Sequence, residues 1–337
     1  METESSLVNI GPSEFIEGFN LMDARLETGI KMRFAIGGKG PALMLVHGHP
    51  HTHIIWRKVA PLLAQKYTVV LPDLRGYGDT DKPESTPDHR PYSKKEMAKD
   101  LISLMKLLNR PTFAFVGHDR GARVGHRLAL DYPESVTKAV FVDIAPTATM
   151  YALTNKEFAT KYFWWFFLIQ PEPFPEKLIG FDPDYFLHHH IDGQIKIKGC
   201  VEDKAFYEYL RCYKDPRTIH AICEDYRAAA TIDLDDDKED ADKKIQCPLH
   251  LLWGARGTVG KLYDVVGTWK EKTVTVSGEA LDCGHSPEEE CPSVFLKKSW
   301  RFWTKSDTTC SLLIALQGKA FEPHKTQRLY RSLLKLR

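Results

Sequence analysis

The sequence predicts an α/β protein in which a mostly parallel sheet has helices on both faces. Two observations carry this prediction. Buried apolar runs alternate with amphipathic helical patterns along most of the chain, and such alternation is typical of crossover connections between parallel strands. At 337 residues, the chain is also long enough for one large domain or a domain with an insertion. We therefore expect one eight-stranded sheet.

The predicted elements follow one another in a regular order. Two amphipathic strands come first, and buried strands that end in polar loops follow them. Helices are predicted at 94–109, where Leu101 and Leu104 share an apolar face, and at 121–131. The eight strands are predicted at 15–28, 30–38, 42–48, 67–73, 112–118, 138–144, 248–254 and 273–278.

One long segment interrupts the alternation. Residues 147–230 contain no convincing strand pattern, many aromatic residues and several helical patterns. We predict that they form a helical lid inserted into a core made of residues 15–146 and 231–305. The tail, 306–337, follows every expected element of the fold. It is predicted to be a disordered appendage or an artefact of gene prediction.

Charge and composition argue against several classes of function. The 46 basic and 45 acidic residues give a net charge of +1, which provides no electrostatic attraction for nucleic acid or an anionic membrane. The most apolar run, 162–169, is far shorter than the roughly 20 residues that span a bilayer. The N-terminus lacks the pattern of a secretory signal, so a cytoplasmic protein is expected. The seven cysteines form no CxxC pair, and the consecutive His188, His189 and His190 point in different directions on a helix, so no metal site is predicted.

The segment GHDRG at 117–121 indicates the chemistry. It lies between a predicted strand and a predicted helix, as does the GxSxG turn that exposes the nucleophile of many hydrolases. Asp119 occupies the serine position. A carboxylate can attack an electrophilic carbon and form an enzyme ester without first losing a proton. The alternative for this residue alone is an Asp that caps the following helix.

Two further residues complete a predicted Asp-His-Asp triad. His285 follows the last predicted strand, from which a base could reach Asp119. Asp143 ends the strand after the nucleophile, whereas the strand that ends at Gly254 is followed by no carboxylate before Asp264. The order of nucleophile, acid and histidine along the chain agrees with this type of hydrolase. We predict that Asp119 is the nucleophile, His285 the base and Asp143 its orienting acid.

Five segments together resemble the haloacetate (fluoroacetate) dehalogenase family of the α/β hydrolases. The residue after the nucleophile, Arg120, distinguishes this family from epoxide hydrolases and haloalkane dehalogenases, which usually have an aromatic residue there. The resemblance covers about residues 15–305. It implies an α/β-hydrolase fold and a hydrolase that converts short 2-haloacids into 2-hydroxy acids, with no metal or organic cofactor. The segments are HGHP at 47–50, GHDRGARVGHRLALDYP at 117–133, FVDIAPT at 141–147, CEDYRA at 223–228 and GHSPEEE at 284–290.

Two arginines near the nucleophile predict an anionic substrate. Arg120 and Arg123 share one face of the first helical turns after Asp119. Cations are unfavourable at a helix N-terminus, where the helix dipole itself attracts anions. We therefore predict that both arginines bind the carboxylate of a haloacid. The backbone N–H groups of His49 and Arg120 are expected to form the oxyanion hole.

The halide-binding residues are predicted by motif match to the family. Tyr226 and Trp165 match the tyrosine and the tryptophan that donate hydrogen bonds to the departing halide. Trp164 stands where the family has a histidine. An indole N–H can donate, but the ring is bulkier and cannot carry a positive charge. We therefore expect chloro- or bromoacetate to be better substrates than fluoroacetate.

Two other functions remain open at the level of sequence. An epoxide hydrolase would use the same Asp nucleophile with two lid tyrosines as acids, although Arg120 offers nothing to a neutral epoxide. A catalytically inactive hydrolase-like binding protein is the second alternative. The predicted partner is a small-molecule haloacid, with no nucleic acid or stable membrane insertion, and a homodimer is an assembly to test. The tyrosines available for an epoxide hydrolase are Tyr151, Tyr162, Tyr185, Tyr207, Tyr209, Tyr213 and Tyr226.

Overall fold

A nine-stranded sheet runs through the computed structural model, which describes residues 6–304. The strands lie side by side in the order β1-β2-β3-β5-β4-β6-β7-β8-β9. Their bounds are β1 Leu7–Pro12, β2 Phe19–Arg25, β3 Lys31–Gly37, β4 Ala42–Val46, β5 Thr68–Pro72, β6 Phe113–His118, β7 Val136–Val142, β8 Leu249–Gly254 and β9 Val276–Leu281.

The sheet is antiparallel at one end and parallel over the rest. Strands β1, β2, β3 and β5 pair antiparallel in that order. The pairings from β5 through β4, β6, β7 and β8 to β9 are all parallel. The predicted α/β-hydrolase fold with a mostly parallel sheet is therefore confirmed. Every residue of β4 and β5 is buried, as expected for strands covered on both faces.

The predicted number of eight strands is wrong, because β1 adds an edge strand before residue 15. Its residues are exposed or half-buried throughout, so LVNIGP lacks the apolar pattern by which a strand is recognised. The last strand also begins at Val276 rather than at residue 273. Both differences lie at the two edges of the sheet, where burial constrains the sequence least.

The described residues contain fifteen α-helices and two short 3-10 helices. The 3-10 helices are His53–Lys58 and Arg90–Tyr92. The α-helices are α1 Ala60–Leu63, α2 Lys94–Leu107, α3 Arg120–Asp131, α4 Thr147–Ala152, α5 Lys156–Lys161, α6 Trp164–Phe167, α7 Phe174–Phe181, α8 Pro183–Gln194, α9 Asp203–Tyr213, α10 Pro216–Ala230, α11 Ile232–Glu239, α12 Thr258–Leu262, α13 Val265–Trp269, α14 Pro287–Glu290 and α15 Pro292–Thr304.

The connection between β7 and β8 is entirely helical in its regular structure. It comprises α4 to α11 and includes the predicted lid segment, 147–230. The acidic run at 233–242 folds largely into α11, with Asp233 and Asp236 buried. Asp233 accepts a hydrogen bond from the Lys94 backbone N–H at 2.8 Å and lies 3.0 Å from its Nζ. Burial of these acids is compensated because lysines of α2 pair with them.

Residues 6–299 form one compact unit, and Trp300–Thr304, the end of α15, belong to a second. The predicted tail, 306–337, lies outside the described residues. Between residues 6 and 304, no helix is long and apolar enough to cross a membrane.

Candidate active site

Asp119 occupies a constrained turn between β6 and α3. Its backbone angles are φ 48° and ψ −117°, a conformation that L-residues seldom adopt and that clusters at functional sites. Two glycines permit the turn. A Cβ on Gly48 would lie 2.5 Å from the Asp119 Cβ, and one on Gly121 would lie 2.3 Å from the His47 carbonyl oxygen. Close backbone packing around the carboxylate therefore requires Gly48 of HGHP and Gly121 of GHDRG.

The two oxygens of the Asp119 carboxylate have different surroundings. The His49 backbone N–H donates to Oδ1 at 3.1 Å. A Cβ on Gly48 would lie 2.6 Å from both that oxygen and the Arg120 backbone N. The backbone nitrogens of His49 and Arg120, the two residues predicted to form the oxyanion hole, are therefore both near Oδ1. Oδ2 is 3.9 Å from Nε2 of His285. One oxygen is thus held by the backbone, and the other faces the histidine across a gap longer than a hydrogen bond.

His285 is oriented by Asp143. Its Nδ1 lies 2.6 Å from the Asp143 Oδ2, and the Gly254 N–H donates to the other carboxylate oxygen at 2.9 Å. His118 Nε2 lies 2.8 Å from the His285 carbonyl oxygen, so a proton on that nitrogen donates to the carbonyl and positions the loop. The structure therefore brings Asp119, His285 and Asp143 together, and their catalytic roles stay a prediction.

The pKa values of Asp119, His285 and Asp143 depend on one another and on burial. Burial would raise the pKa of Asp119, but the nearby His285 and Arg123 outweigh it and keep this pKa below its usual value. Burial would lower the pKa of His285, yet the hydrogen bond and charge of Asp143 and the charge of Asp119 raise it. Burial raises the pKa of Asp143. Asp119 is consequently an ionised carboxylate at neutral pH beside a histidine whose protonation depends on that charge.

Arg120, predicted to bind the substrate carboxylate, is paired with a carboxylate of the protein itself. Its Nε donates to the Asp225 Oδ2 at 2.9 Å and its Nη2 donates to Oδ1 at 2.8 Å. Asp225 also accepts from Lys94 Nζ at 2.5 Å and from the Tyr77 hydroxyl at 2.7 Å. All of these side chains are buried. The Arg120 charge is therefore largely balanced inside the protein. The nearby Asp131 of α3 pairs with Arg127 instead.

Arg123 remains without a carboxylate among residues 6–304. Its Nη1 donates to the Ala145 carbonyl oxygen at 3.1 Å and to the Thr147 hydroxyl at 2.9 Å. Among the same described residues, its Nε is buried with no hydrogen-bond partner. Burial, and then the charge of Arg120, lower the pKa of Arg123. A buried guanidinium in this state would gain a counter-ion from an anionic ligand.

Two of the three aromatic residues predicted to bind halide contact these arginines, and the third has other neighbours. The Trp165 ring lies 4.7 Å from the Arg123 guanidinium carbon, and the Tyr226 ring lies 4.1 Å from that of Arg120. The Trp165 and Tyr226 ring centroids are 6.3 Å apart. Trp164 has other neighbours, with its ring centroid 4.7 Å from that of Tyr162. Trp165 and Tyr226 are thus brought to the arginines, while Trp164 packs one ring further away.

The sequence-based prediction missed Asp225 and the buried position of His190, and it named Tyr151 and Tyr162 only as possible acids of an epoxide hydrolase. Asp225 stands directly before Tyr226 in CEDYRA, so an acid in that motif was a signal for the partner of Arg120. The hydroxyl groups of Tyr151 and Tyr162 are buried without a hydrogen-bond partner among the described residues. His190, grouped in sequence with two exposed histidines, is itself buried. Within residues 6–304, no cluster of three or more His, Cys, Asp or Glu side chains is arranged to hold a metal.

Comparison with known proteins agrees with this architecture. Residues 41–176 match the family described as alpha/beta hydrolase fold. The chain is 42% identical over 257 residues to the fluoroacetate dehalogenase of Burkholderia sp., which covers 76% of this chain and 84% of the relative. It is 27% identical over 282 residues to the soluble epoxide hydrolase of Corynebacterium sp., which covers 82% of this chain and 94% of that protein.

A solved structure extends the similarity. A crystal structure from Salmonella enterica, named a "Putative Acyltransferase", is 65% identical, covers 88% of this chain and 98% of its own, and superimposes with a TM-score of 0.87. The shared fold and the identity to a fluoroacetate dehalogenase over most of both sequences lead to one conclusion: this chain belongs to the haloacetate dehalogenase family of the α/β-hydrolase superfamily.

Proposed function

We propose that the protein is a hydrolytic dehalogenase of short 2-haloacids, with Asp119, His285 and Asp143 as its triad. One observation carries the proposal: the buried Arg123 guanidinium has no carboxylate partner among the described residues. Its charge also helps to hold the pKa of Asp119 below the usual value. A small anionic substrate supplies the missing counter-ion and places its α-carbon beside the nucleophile.

In the first step, the Asp119 Oδ2 attacks the α-carbon in line with the carbon–halogen bond. The C–O bond forms, the carbon–halogen bond breaks with its electron pair, and halide leaves. Oδ1 stays on the His49 N–H and becomes the carbonyl oxygen of the ester. Trp164, Trp165 and Tyr226 form the halide side of the pocket in this proposal, and their N–H and O–H groups stabilise the departing charge.

In the second step, His285 removes a proton from water and the resulting hydroxide attacks the Asp119 ester carbonyl. Negative charge develops on Oδ1, where the backbone N–H groups of His49 and Arg120 stabilise it. Collapse of this intermediate breaks the bond between the Asp119 carbonyl carbon and the ester oxygen, which takes the proton held by His285. The 2-hydroxy acid leaves, and Asp119 returns to its carboxylate form with release of one proton to solvent. Ester formation favours this step because it removes the negative charge of Asp119, which raises the pKa of His285 in the free enzyme. The lower pKa in the ester favours the neutral imidazole that acts as base.

The second candidate function is epoxide hydrolysis. Two tyrosines favour it, because the hydroxyl groups of Tyr151 and Tyr162 are buried and unpartnered among residues 6–304 and could protonate an epoxide oxygen. The pairing of Arg120 with Asp225 also weakens the argument from an unpaired cation beside the nucleophile. Arg123 still favours a carboxylate substrate, since a neutral epoxide does not compensate its buried charge.

One assay separates the two functions. Halide release from fluoroacetate, chloroacetate and bromoacetate is measured beside diol formation from styrene oxide, using the wild-type protein and Asp119→Asn. We expect halide release from chloroacetate that disappears in the variant. Diol formation without halide release would establish the epoxide hydrolase instead, and no product from either class would favour the inactive binding protein. The predicted cytoplasmic location and homodimer stay predictions.

A further inference from the structure

His190 lies between two residues of the candidate site. It belongs to α8, and its side chain is buried on the same helical face as Leu187 and Ile191. Its ring centroid is 4.4 Å from that of His49 and 4.4 Å from that of Trp164, with both contacts edge to face. His49 holds the Asp119 carboxylate through its backbone N–H. The imidazole of His190 is therefore one residue removed from the nucleophile.

The contacts of Gln194 define which nitrogen of His190 carries its proton. The Gln194 side-chain nitrogen lies 3.3 Å from the His190 carbonyl oxygen, to which it donates, and 2.8 Å from the His190 Nε2. The amide nitrogen is a donor only, so Nε2 accepts and the neutral ring carries its proton on Nδ1. Burial first, and then the neighbouring His49 and His285, hold the pKa of His190 well below its usual value, which keeps the ring neutral.

The Nδ1–H of His190 is thus a buried donor in need of a partner. Among residues 6–304, this nitrogen has no hydrogen-bond partner. Buried donors are nearly always satisfied in proteins, and exceptions often mark a place where a ligand or water binds. The neighbouring rings of His49 and Trp164 are buried as well, so little water competes for this donor.

We propose that His190 donates its Nδ1–H to the departing halide and completes the leaving-group pocket. This inference rests on the proposed dehalogenase function. The substrate carboxylate is accounted for by Arg123, so the donor on α8 is available for the other anion that the reaction creates. Trp164 and His190 then contribute neighbouring N–H groups from two different helices, α6 and α8.

The first test compares His190→Phe with His189→Phe. Phenylalanine keeps an aromatic ring of similar shape but removes the N–H, while His189 is exposed on the same helix. We expect His190→Phe to lower kcat for chloroacetate about tenfold or more. The loss should be larger for fluoroacetate than for bromoacetate, because the poorer leaving group depends more on the donor. His189→Phe should behave as wild type. An equal loss for all three halides would overturn the proposal.

The second test measures halide binding directly and does not need turnover. Quenching of tryptophan fluorescence by bromide is titrated in the wild type, His190→Phe and His190→Gln, with folding monitored by circular dichroism. We expect the bromide Kd to rise about tenfold in His190→Phe and to recover partly in His190→Gln, which restores an N–H donor. An unchanged Kd, or an equal loss in both variants, would reject the role of His190. Failure of wild-type halide release alone would reject the dehalogenase function but leave this binding result interpretable.

Discussion

The strand-end side of the candidate site and the helical segment opposite it are built differently. On the strand side, Asp119, Asp143 and His285 are held by direct hydrogen bonds of 2.6 to 3.1 Å. On the helical side, the Tyr226 hydroxyl reaches the His49 Nδ1 at a longer 3.4 Å. Among residues 6–304, several other donors there, including the His190 Nδ1, have no partner at all. In the proposed mechanism, the sheet therefore orients the reacting groups in advance, and the helices supply donors to the ligand.

One ion pair joins the two sides. Asp225 of α10 binds Arg120, which directly follows Asp119, and also accepts a hydrogen bond from Lys94 of α2. Burial of Asp225 would raise its pKa, but these two cations outweigh it and hold the pKa far below its usual value. This difference predicts that substitutions on the strand side lower the catalytic rate. Substitution of Asp225 should lower the free energy of unfolding, and substitution of the helical donors should change the preference among substrates.

The largest effect is expected for Asp119→Asn. An amide is a far weaker nucleophile than a carboxylate, so halide release should fall by about 10⁴-fold or more, as for other enzymes that lose a nucleophile. Steady-state halide release from chloroacetate measures this. Asp235→Asn, an exposed acid of α11, serves as the matched control. Activity retained by Asp119→Asn would assign the nucleophile elsewhere.

Asp225→Ala should cause the next largest effect, and on stability. The substitution leaves the buried Arg120 and Lys94 without their shared carboxylate. Loss of one partner of a buried ion pair typically costs about 3–5 kcal/mol. Urea denaturation should show this decrease in the free energy of unfolding, with Asp235→Ala unchanged. A loss below about 1 kcal/mol, the range of surface pairs, would contradict the structural role of this cluster.

Arg123→Gln tests substrate recognition. We expect kcat/KM for chloroacetate to fall about 100-fold, because a charge-assisted contact to the substrate carboxylate is lost. A neutral substrate such as styrene oxide should gain nothing from Arg123, and any turnover of it should be little changed. Arg127→Gln lies one turn further along α3 and is paired with Asp131 and Asp240, so it should leave KM unaltered. Equal effects of both substitutions on KM would argue against a carboxylate site at Arg123.

A smaller effect, in pH dependence, separates the two chemical steps. Asp119 has a lowered pKa, so ester formation should change little between about pH 8 and pH 5. Ester hydrolysis needs neutral His285, so its rate should fall as pH decreases, up to about tenfold per pH unit below the pKa of His285 in the ester. Rapid-quench measurement of halide and 2-hydroxy acid resolves the two steps. A fall of both rates in parallel would mean that His285 also controls ester formation.

The strand side could be predicted because its residues directly follow strands that the sequence pattern reveals. Asp119 and Asp143 follow strands of a parallel sheet, and the carboxyl ends of such strands meet at one edge. His285 follows the last strand for the same reason. The backbone conformation of Asp119 is also encoded nearby, since GHDRG and HGHP supply the glycines that a close approach requires.

The helical side was harder to predict because its contacts join distant segments. Arg120 and Asp225 are 105 residues apart in sequence, and no periodicity relates them. His190 stands between His189 and Ile191 in a run of three histidines, and consecutive side chains do not converge on one face of a helix. Its spacing from Leu187, Ile191 and Gln194, which share the buried face of α8, was the signal that it points inward.

The central claim is that Asp119 forms a covalent ester with the haloacid, and trapping that ester tests it most directly. His285→Gln is incubated with chloroacetate, and the protein is analysed by intact mass and peptide mass spectrometry beside Asp119→Asn. We predict that His285→Gln gains one carboxymethyl group on the peptide that contains Asp119, with release of one equivalent of chloride, and that Asp119→Asn gains none. Chloride release without a protein adduct, or an adduct on another residue, would contradict the account.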